Sequence, residues 1–218
     1  MYAVFLDLDG TLVDPKPGIT AAIRYAMGEL GAEDIPEADD LTWCIGPDLR
    51  GSFETLLGPG SDVEAALAAY RDHYRGGAMY EADVYDGVGE MFEGLAAMGV
   101  EAFVATSKPA EYAAEIVEHF GIHAHIERLF GAELDGRLGD KAQLLAHALT
   151  ELEPERAIMV GDRSFDILGA HANGLPAIGA LWGYAEPNEL HMAEADALCA
   201  SPEEVPATVL ELWGLTVD

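Results

Sequence analysis

The stretch Asp7-Leu8-Asp9-Gly10-Thr11-Leu12-Val13-Asp14 decides how this chain is read. It follows the apolar run Tyr2 to Leu6, whose composition predicts a buried strand. Residues two apart on a strand point to the same side, so Asp7 and Asp9 would both face whatever lies beyond its end. Gly10 permits a sharp exit from that strand. Two crowded carboxylates repel each other unless a cation or a shared proton relieves them. The pair therefore suggests a metal site with a spare carboxylate for chemistry. A strand running into an ordinary Asp-Gly turn is the simpler alternative, and the eight letters alone do not exclude it.

Two further apolar runs look like buried parallel strands. Glu101 to Ala105 ends in Thr106-Ser107-Lys108-Pro109, and Ala157 to Val160 ends in Gly161-Asp162-Arg163-Ser164. Each precedes a helical pattern, Pro109 to Phe120 and Ser164 to Ala172. Pro109 suits a first helical position, Ser164 an N-cap and Gly174 the residue just past a helix end. Leu129 to Ala132 and Ala177 to Leu181 are weaker strand candidates, with a helix over Lys141 to Leu152 between them. Strands alternating with helices from about residue 85 onward argue an α/β fold with a Rossmann-like parallel sheet. Residues 15–84 read differently: Thr20 to Leu30, Asp48 to Leu57 and Asp62 to Tyr74 carry helical spacing, with no convincing strand between them. The expected organisation is a core of 1–14 and 85–218 with a small helical insertion, 15–84, after the first strand.

Composition bounds the function. The 218 residues include 40 acidic and 11 basic side chains, a net charge of −29. Binding a nucleic-acid backbone needs clustered Lys and Arg, so no nucleic-acid partner is expected, nor an anionic membrane surface. No apolar segment approaches the roughly 20 residues of a membrane span. Cys44 and Cys199 lack metal or redox spacing, which a cytoplasmic protein with two free thiols explains. There are three lysines, Lys16, Lys108 and Lys141. A chain that nearly avoids lysine has a use for some of these, because an anionic substrate would need local positive charge.

Ligands of open parallel sheets sit at the carboxyl ends of the strands. Those ends carry Asp7 and Asp9, Thr106 and Ser107, and Asp162 with Asp166, while Lys141 begins the helix before the third. Carboxylates, hydroxyls and an ammonium group in one crevice suit magnesium and a phosphoryl group. With DLDGTLVD at Asp7, VATSKP around Thr106, Lys141, and GDRSFD from Gly161 to Asp166 in that order, the chain resembles the haloacid dehalogenase superfamily, in its phosphoglycolate-phosphatase-like branch. The insertion looks like the helical cap that members of this branch carry.

The resemblance implies a magnesium-dependent phosphatase acting on a small phosphorylated metabolite, as a monomer or homodimer. Asp7 would be the nucleophile, forming an aspartyl-phosphate, and Asp9 the general acid and base. Magnesium would take Asp7, the backbone carbonyl of Asp9, and Asp162, with Asp166 holding a metal-bound water or orienting a neighbour. Lys141 and Thr106 would meet the phosphoryl oxygens, beside Gly10 and Ser107. Lys108 would contact substrate or solvent, and Arg50, in Ile45-Gly46-Pro47-Asp48-Leu49-Arg50, a substrate anion. Simpler readings stand beside these: Thr106 ending its strand, Asp162 and Asp166 as acids near a helix N-terminus, Arg50 as a surface residue beside Glu54. Lys141 precedes Ala142 where the family more often has proline. Asp9 excludes the superfamily's dehalogenases, which lack a second aspartate. Phosphomutases of the β-phosphoglucomutase kind, 5'-nucleotidases and a non-catalytic metabolite-binding protein remain the alternatives.

Overall fold

Tyr2–Leu6 forms β1, and its residues from Ala3 to Leu6 are wholly buried in the computed structural model, which describes residues 1–215. The chain then runs through β2 (Val13–Asp14), α1 (Lys16–Glu29), α2 (Leu49–Leu57), α3 (Val63–Arg75) and β3 (Asp83–Val84). Next come α4 (Val88–Ala97), β4 (Val100–Pro109), α5 (Ala110–His119), β5 (Arg128–Ala132) and α6 (Lys141–Leu152). The last elements are β6 (Arg156–Gly161), α7 (Ser164–Ala172), β7 (Ala177–Ala180), α8 (Glu189–Met192), β8 (Ala197–Cys199) and α9 (Val205–Trp213). Two compact units result, one of Met1–Val13 with Val84–Asp218 and one of Asp14–Asp83.

In the first unit six strands pair in the order β5-β4-β1-β6-β7-β8, every pairing parallel. The fold is α/β, a parallel sheet flanked by helices. The chain builds outward on one side of β1 through β4 and β5, then returns to its other side for β6. That reversal makes β1 the switch point, where strand ends open a crevice. Ladder bonding continues past β1, since the Asp7 amide donates to the Val160 carbonyl at 3.0 Å. Side chains alternate along β1, so Ala3 and Phe5 enter one core layer while Val4 and Leu6 are buried on the opposite face. Phe5 lies 5.7 Å from Phe103 and 6.4 Å from Phe130 between ring centroids. Leu144, Leu145 and Ala148 of α6 and Ile167 and Ala170 of α7 cover these rings. Truncating such a buried phenylalanine to alanine costs about 3–5 kcal/mol. This layer fixes α6 and α7 against β1, which matters because both helices start at the site.

Several boundaries shift from the sequence reading for physical reasons. β4 runs on through Pro109, because a bulge between Thr106 and Pro109 restores its pairing with β5 at Ala132. Pro109 therefore ends a strand and sits outside α5. Ser164 is the first residue of α7, not its cap; Asp166 reaches back to accept from the Arg163 amide at 3.1 Å. Asp48 and Asp62 stand just outside α2 and α3, each accepting from a backbone amide, Gly51 and Ala65, at 3.0 Å. Within Asp14–Asp83, Phe53, Tyr70 and Tyr74 form an aromatic cluster, and Tyr25 stacks on His73 at 4.3 Å. Among the described residues, no helix is long and apolar enough to cross a membrane.

Candidate active site

The loop after β1 closes on a single carbonyl: the amides of Thr11, Leu12 and Val13 all point to Leu8 O, at 3.3, 2.9 and 3.0 Å. Gly10 turns this loop with φ +82°, and a side chain there would place Cβ 2.2 Å from Asp162 Oδ2. Glycine is required twice over, by conformation and by space. The loop holds Asp7, 4% exposed, at the carboxyl end of β1. Asp162 arrives from the turn between β6 and α7, Asp166 from the first turn of α7, and Lys141 from the first residue of α6, where Asp140 caps the helix through the Gln143 amide.

Carboxylate oxygens of Asp7, Asp162 and Asp166 lie within 4.8 Å of one another, all buried. The Lys141 ammonium stands 3.0 Å from Asp7 Oδ1 and 2.7 Å from Asp166 Oδ1, and donates to the Ala105 carbonyl at 2.8 Å. At these distances both oxygens are in charge-assisted contact with the ammonium, although the angles depart from good hydrogen-bond geometry. Burial would push the Lys141 ammonium down, but Asp166 and Asp7 outweigh it and hold it up, in the charged form. Burial first, then the charges of Asp166 and Asp7, raise the Asp162 carboxyl well above its usual range. Burial likewise lifts Asp166 to about 6 against the opposing pull of Lys141.

Three carboxyl groups against one ammonium leave the dry pocket short of positive charge, and burial with mutual repulsion answers that deficit by raising Asp162 and Asp166. That donor set, all hard oxygen, fits a divalent cation such as magnesium. Gly183 presses on the same carboxylate from another loop: a Cβ there would fall 2.3 Å from both Asp162 Cβ and the Gly10 carbonyl. The Thr11 hydroxyl donates to Asp162 Oδ1 at 3.3 Å and the Tyr184 amide to Oδ2 at 2.7 Å. The Trp182 indole donates to the Thr11 carbonyl at 3.0 Å. Behind α7, the Asn173 amide group bonds the carbonyls of Ala142 and Gly169, both at 2.9 Å, and so ties α7 to the start of α6.

Asp9 takes a different partner. Its Oδ2 accepts from the Lys108 ammonium, while its Oδ1 is buried without a hydrogen-bond partner. Lys108 reaches it from the β4 bulge, which the Thr106 hydroxyl supports by accepting from the Lys108 amide at 3.2 Å. Thr106 is buried and Ser107 half-buried in that bulge. Asp7, Asp9, Gly10, Thr106, Ser107, Lys108, Lys141, Asp162 and Asp166 thus all belong to the first unit, at the carboxyl ends of β1, β4 and β6 or in the first turns of α6 and α7. Arg50 lies in the second unit, exposed on α2, and pairs with Glu64 of α3 rather than with Glu54 alone. Trp182, Gly183, Tyr184 and Asn173 escaped the sequence reading. Two of them act through backbone or absence of a side chain, which leaves no mark in residue chemistry; Trp182-Gly183 after a strand was the only available hint.

The model of the family described as haloacid dehalogenase-like hydrolase matches residues 4–180. The tyrosine-protein kinase PtkA of Mycobacterium tuberculosis is 43% identical over 83% of this chain, and the chain spans only 62% of that kinase's length. A 5'-nucleotidase of Pseudomonas aeruginosa is 38% identical over 90% of both proteins, and a phosphoglycolate phosphatase of Cupriavidus necator 31% over 94% and 91%. Among solved structures, a predicted phosphatase from Clostridium acetobutylicum superposes with TM-score 0.89 at 34% identity, over 96% of this chain and 98% of that one. With its motif carboxylates gathered at the strand ends and the family match spanning most of its length, the chain belongs to the haloacid dehalogenase-like hydrolase family, in the branch that resembles phosphoglycolate phosphatases.

Proposed function

We propose that the chain is a magnesium-dependent phosphatase that cleaves phosphomonoesters of small metabolites by way of a phosphorylated Asp7. The observation that carries this reading is the buried cluster of Asp7, Asp162 and Asp166, with the Lys141 ammonium against Asp7 and Asp166. Magnesium would be held by Asp7, the Asp9 carbonyl and Asp162, and when bound it supplies positive charge opposite the phosphoryl oxygens. Asp166 serves mainly to hold Lys141 and the Arg163 amide.

An oxygen of Asp7 attacks phosphorus as the bond to the leaving alcohol oxygen breaks, which gives the acyl phosphate. Asp9 delivers a proton to the departing oxygen, then removes one from the water whose attack releases phosphate and restores Asp7. The Lys108 ammonium fixes Asp9 by Oδ2, which leaves the unpartnered Oδ1 to exchange that proton. Lys141, Thr106 and the amides of the bulge offset charge on the transferring phosphoryl group. Two of the three lysines in a chain of net charge −29 therefore serve this crevice, where an anion must be made welcome. Buried free thiols at Cys44 and Cys199, the first pushed up to about 11 by burial, suit a reducing cytoplasm.

Among substrates, the 38% identity to a 5'-nucleotidase over 90% of both proteins favours nucleoside monophosphates as a second reading beside phosphoglycolate. The test is phosphate release from p-nitrophenyl phosphate, phosphoglycolate, nucleoside 5'-monophosphates and hexose 1-phosphates, with and without magnesium. Turnover should require magnesium and fall by at least about three orders of magnitude in Asp7→Asn. Activity without magnesium, or unchanged in Asp7→Asn, refutes the reading. Free phosphate rather than an isomerised sugar phosphate separates a phosphatase from a mutase. Labelled ATP that leaves protein tyrosine unlabelled separates it from the kinase activity of its relative.

A further inference from the structure

The turn that carries Asp162 and leads into Asp166 of α7 is fastened from outside by residues 181–189, immediately beyond the span that the family model matches. This loop leaves β7, touches Thr11 through Trp182 and Asp162 through Tyr184, and ends at Glu189, the first residue of α8. The Glu189 carboxylate is itself a small hub. Its Oε1 accepts from the Ser164 amide at 2.7 Å and its Oε2 from the Glu186 amide at 2.8 Å, while Arg163 Nε stands 3.2 and 3.3 Å from the two oxygens. Both side chains of that ion pair are largely buried, 9 and 12% exposed.

Arg163 and Ser164 lie between Asp162 and Asp166 in sequence, so whatever holds their backbone sets the angle between those two carboxylates. Asp166 itself takes the Arg163 amide, and Glu189 takes the next one. We propose that Glu189 is a positioning residue for the metal site: it pins the Arg163–Ser164 turn to the 181–189 loop and so fixes the geometry in which Asp162 and Asp166 meet Asp7. This rests on the metal-site reading of the cluster given above. Glu189 also holds the Arg163 guanidinium in place, and the charge of that guanidinium bears on Asp162. Without Glu189 the guanidinium loses a carboxylate partner and the Ser164 amide loses its acceptor, so the turn beside Asp162 is held less firmly. Outer partners of metal ligands commonly tune affinity by about 10- to 100-fold.

The experiment is titration of the purified protein with magnesium alone, by calorimetry, with no substrate present. Wild type should bind, Asp162→Asn should not, and Glu189→Ala should bind about tenfold more weakly or worse. Glu189→Gln keeps the shape and loses the charge; it should fall between, and it decides the matter in place of Glu189→Ala if that variant does not fold. The control is Asp196→Asn. Asp196 meets His171 at 3.0 Å and the Ala177 amide at 2.8 Å, so its loss loosens the far end of α7 without touching the turn. It should lower thermal stability and leave magnesium affinity at the wild-type value. Wild-type affinity in a folded Glu189 variant, or an equal weakening in Asp196→Asn, overturns the positioning role alone. A wild-type protein that binds no magnesium overturns the metal-site reading beneath it.

Discussion

The buried cluster of the first unit and the surface pairs of the second hold their ionic contacts in opposite ways. Around the cluster, Lys141 meets Asp7 and Asp166 with all three side chains no more than 6% exposed. In Asp14–Asp83 the pairs Lys16–Asp39, Arg24–Glu37 and Arg50–Glu64 have side chains 33 to 87% exposed. Exposed pairs exchange one set of solvent contacts for another and gain little. A buried set pays desolvation in full and is recovered only if every charge is matched. The cluster is not matched, since one ammonium stands against three carboxyl groups. Burying charge incompletely is costly for stability, and it is the arrangement expected where a ligand supplies what is missing.

The sharpest way to break this contrast is Lys141→Met. The loss should cost about 3–5 kcal/mol in denaturant unfolding, because three carboxylates are then stranded together. It should also reduce phosphatase turnover by about 10²- to 10³-fold, as for removal of an oxyanion donor. If unfolding shows no destabilisation, the pair is no more than a surface contact in effect.

Metal removal should give the next largest effect, and pH sharpens it. Burial and neighbouring carboxylates raise Asp162 well above its usual range, and burial raises Asp166 to about 6. A carboxyl raised on folding stabilises the native state when protonated, and that contribution fades as pH climbs from the unfolded value through the folded one. Metal-free protein should therefore melt lower at pH 8 than at pH 5.5, and magnesium should raise its melting temperature more at pH 8. An equal magnesium shift at both pH values, read by thermal unfolding with and without chelator, contradicts the assignment. The smallest effect belongs to Arg50→Ala, which should change the melting temperature by no more than about 2 °C. A clear change in preference across the phosphorylated panel would give Arg50 a substrate contact; an unchanged preference leaves it as a surface residue.

How far the sequence could be read follows from the same physics. Asp7, Asp9 and Asp162 were legible because each is a charged side chain just past an apolar strand, and Asp166 because it falls in the first turn of the helix that follows. The helical character of residues 15–84 was legible from spacing, and Asp48 and Asp62 marked two helix starts to within one residue. Lys141 was legible as the first residue of its helix, despite the alanine after it. The bulge of β4 was not, because it depends on register with a partner strand. The loop of residues 181–189 was hidden more deeply. Tyr184 contributes a backbone amide, Gly183 contributes empty space, and Glu189 finds its partners 25 residues away. None of these signals has a local pattern.

Gly10 and Gly183 press on Asp162 from two loops far apart in sequence, and neither spot can hold even a methyl group. In a saturation library both positions should therefore behave as though they were catalytic, although neither carries a functional group. The reverse holds for the outer surface, where solvated charges tolerate exchange. The 40 acidic residues and the fixed surroundings of Asp162 thus answer to different constraints, solvation at the surface and lack of room at the two glycines.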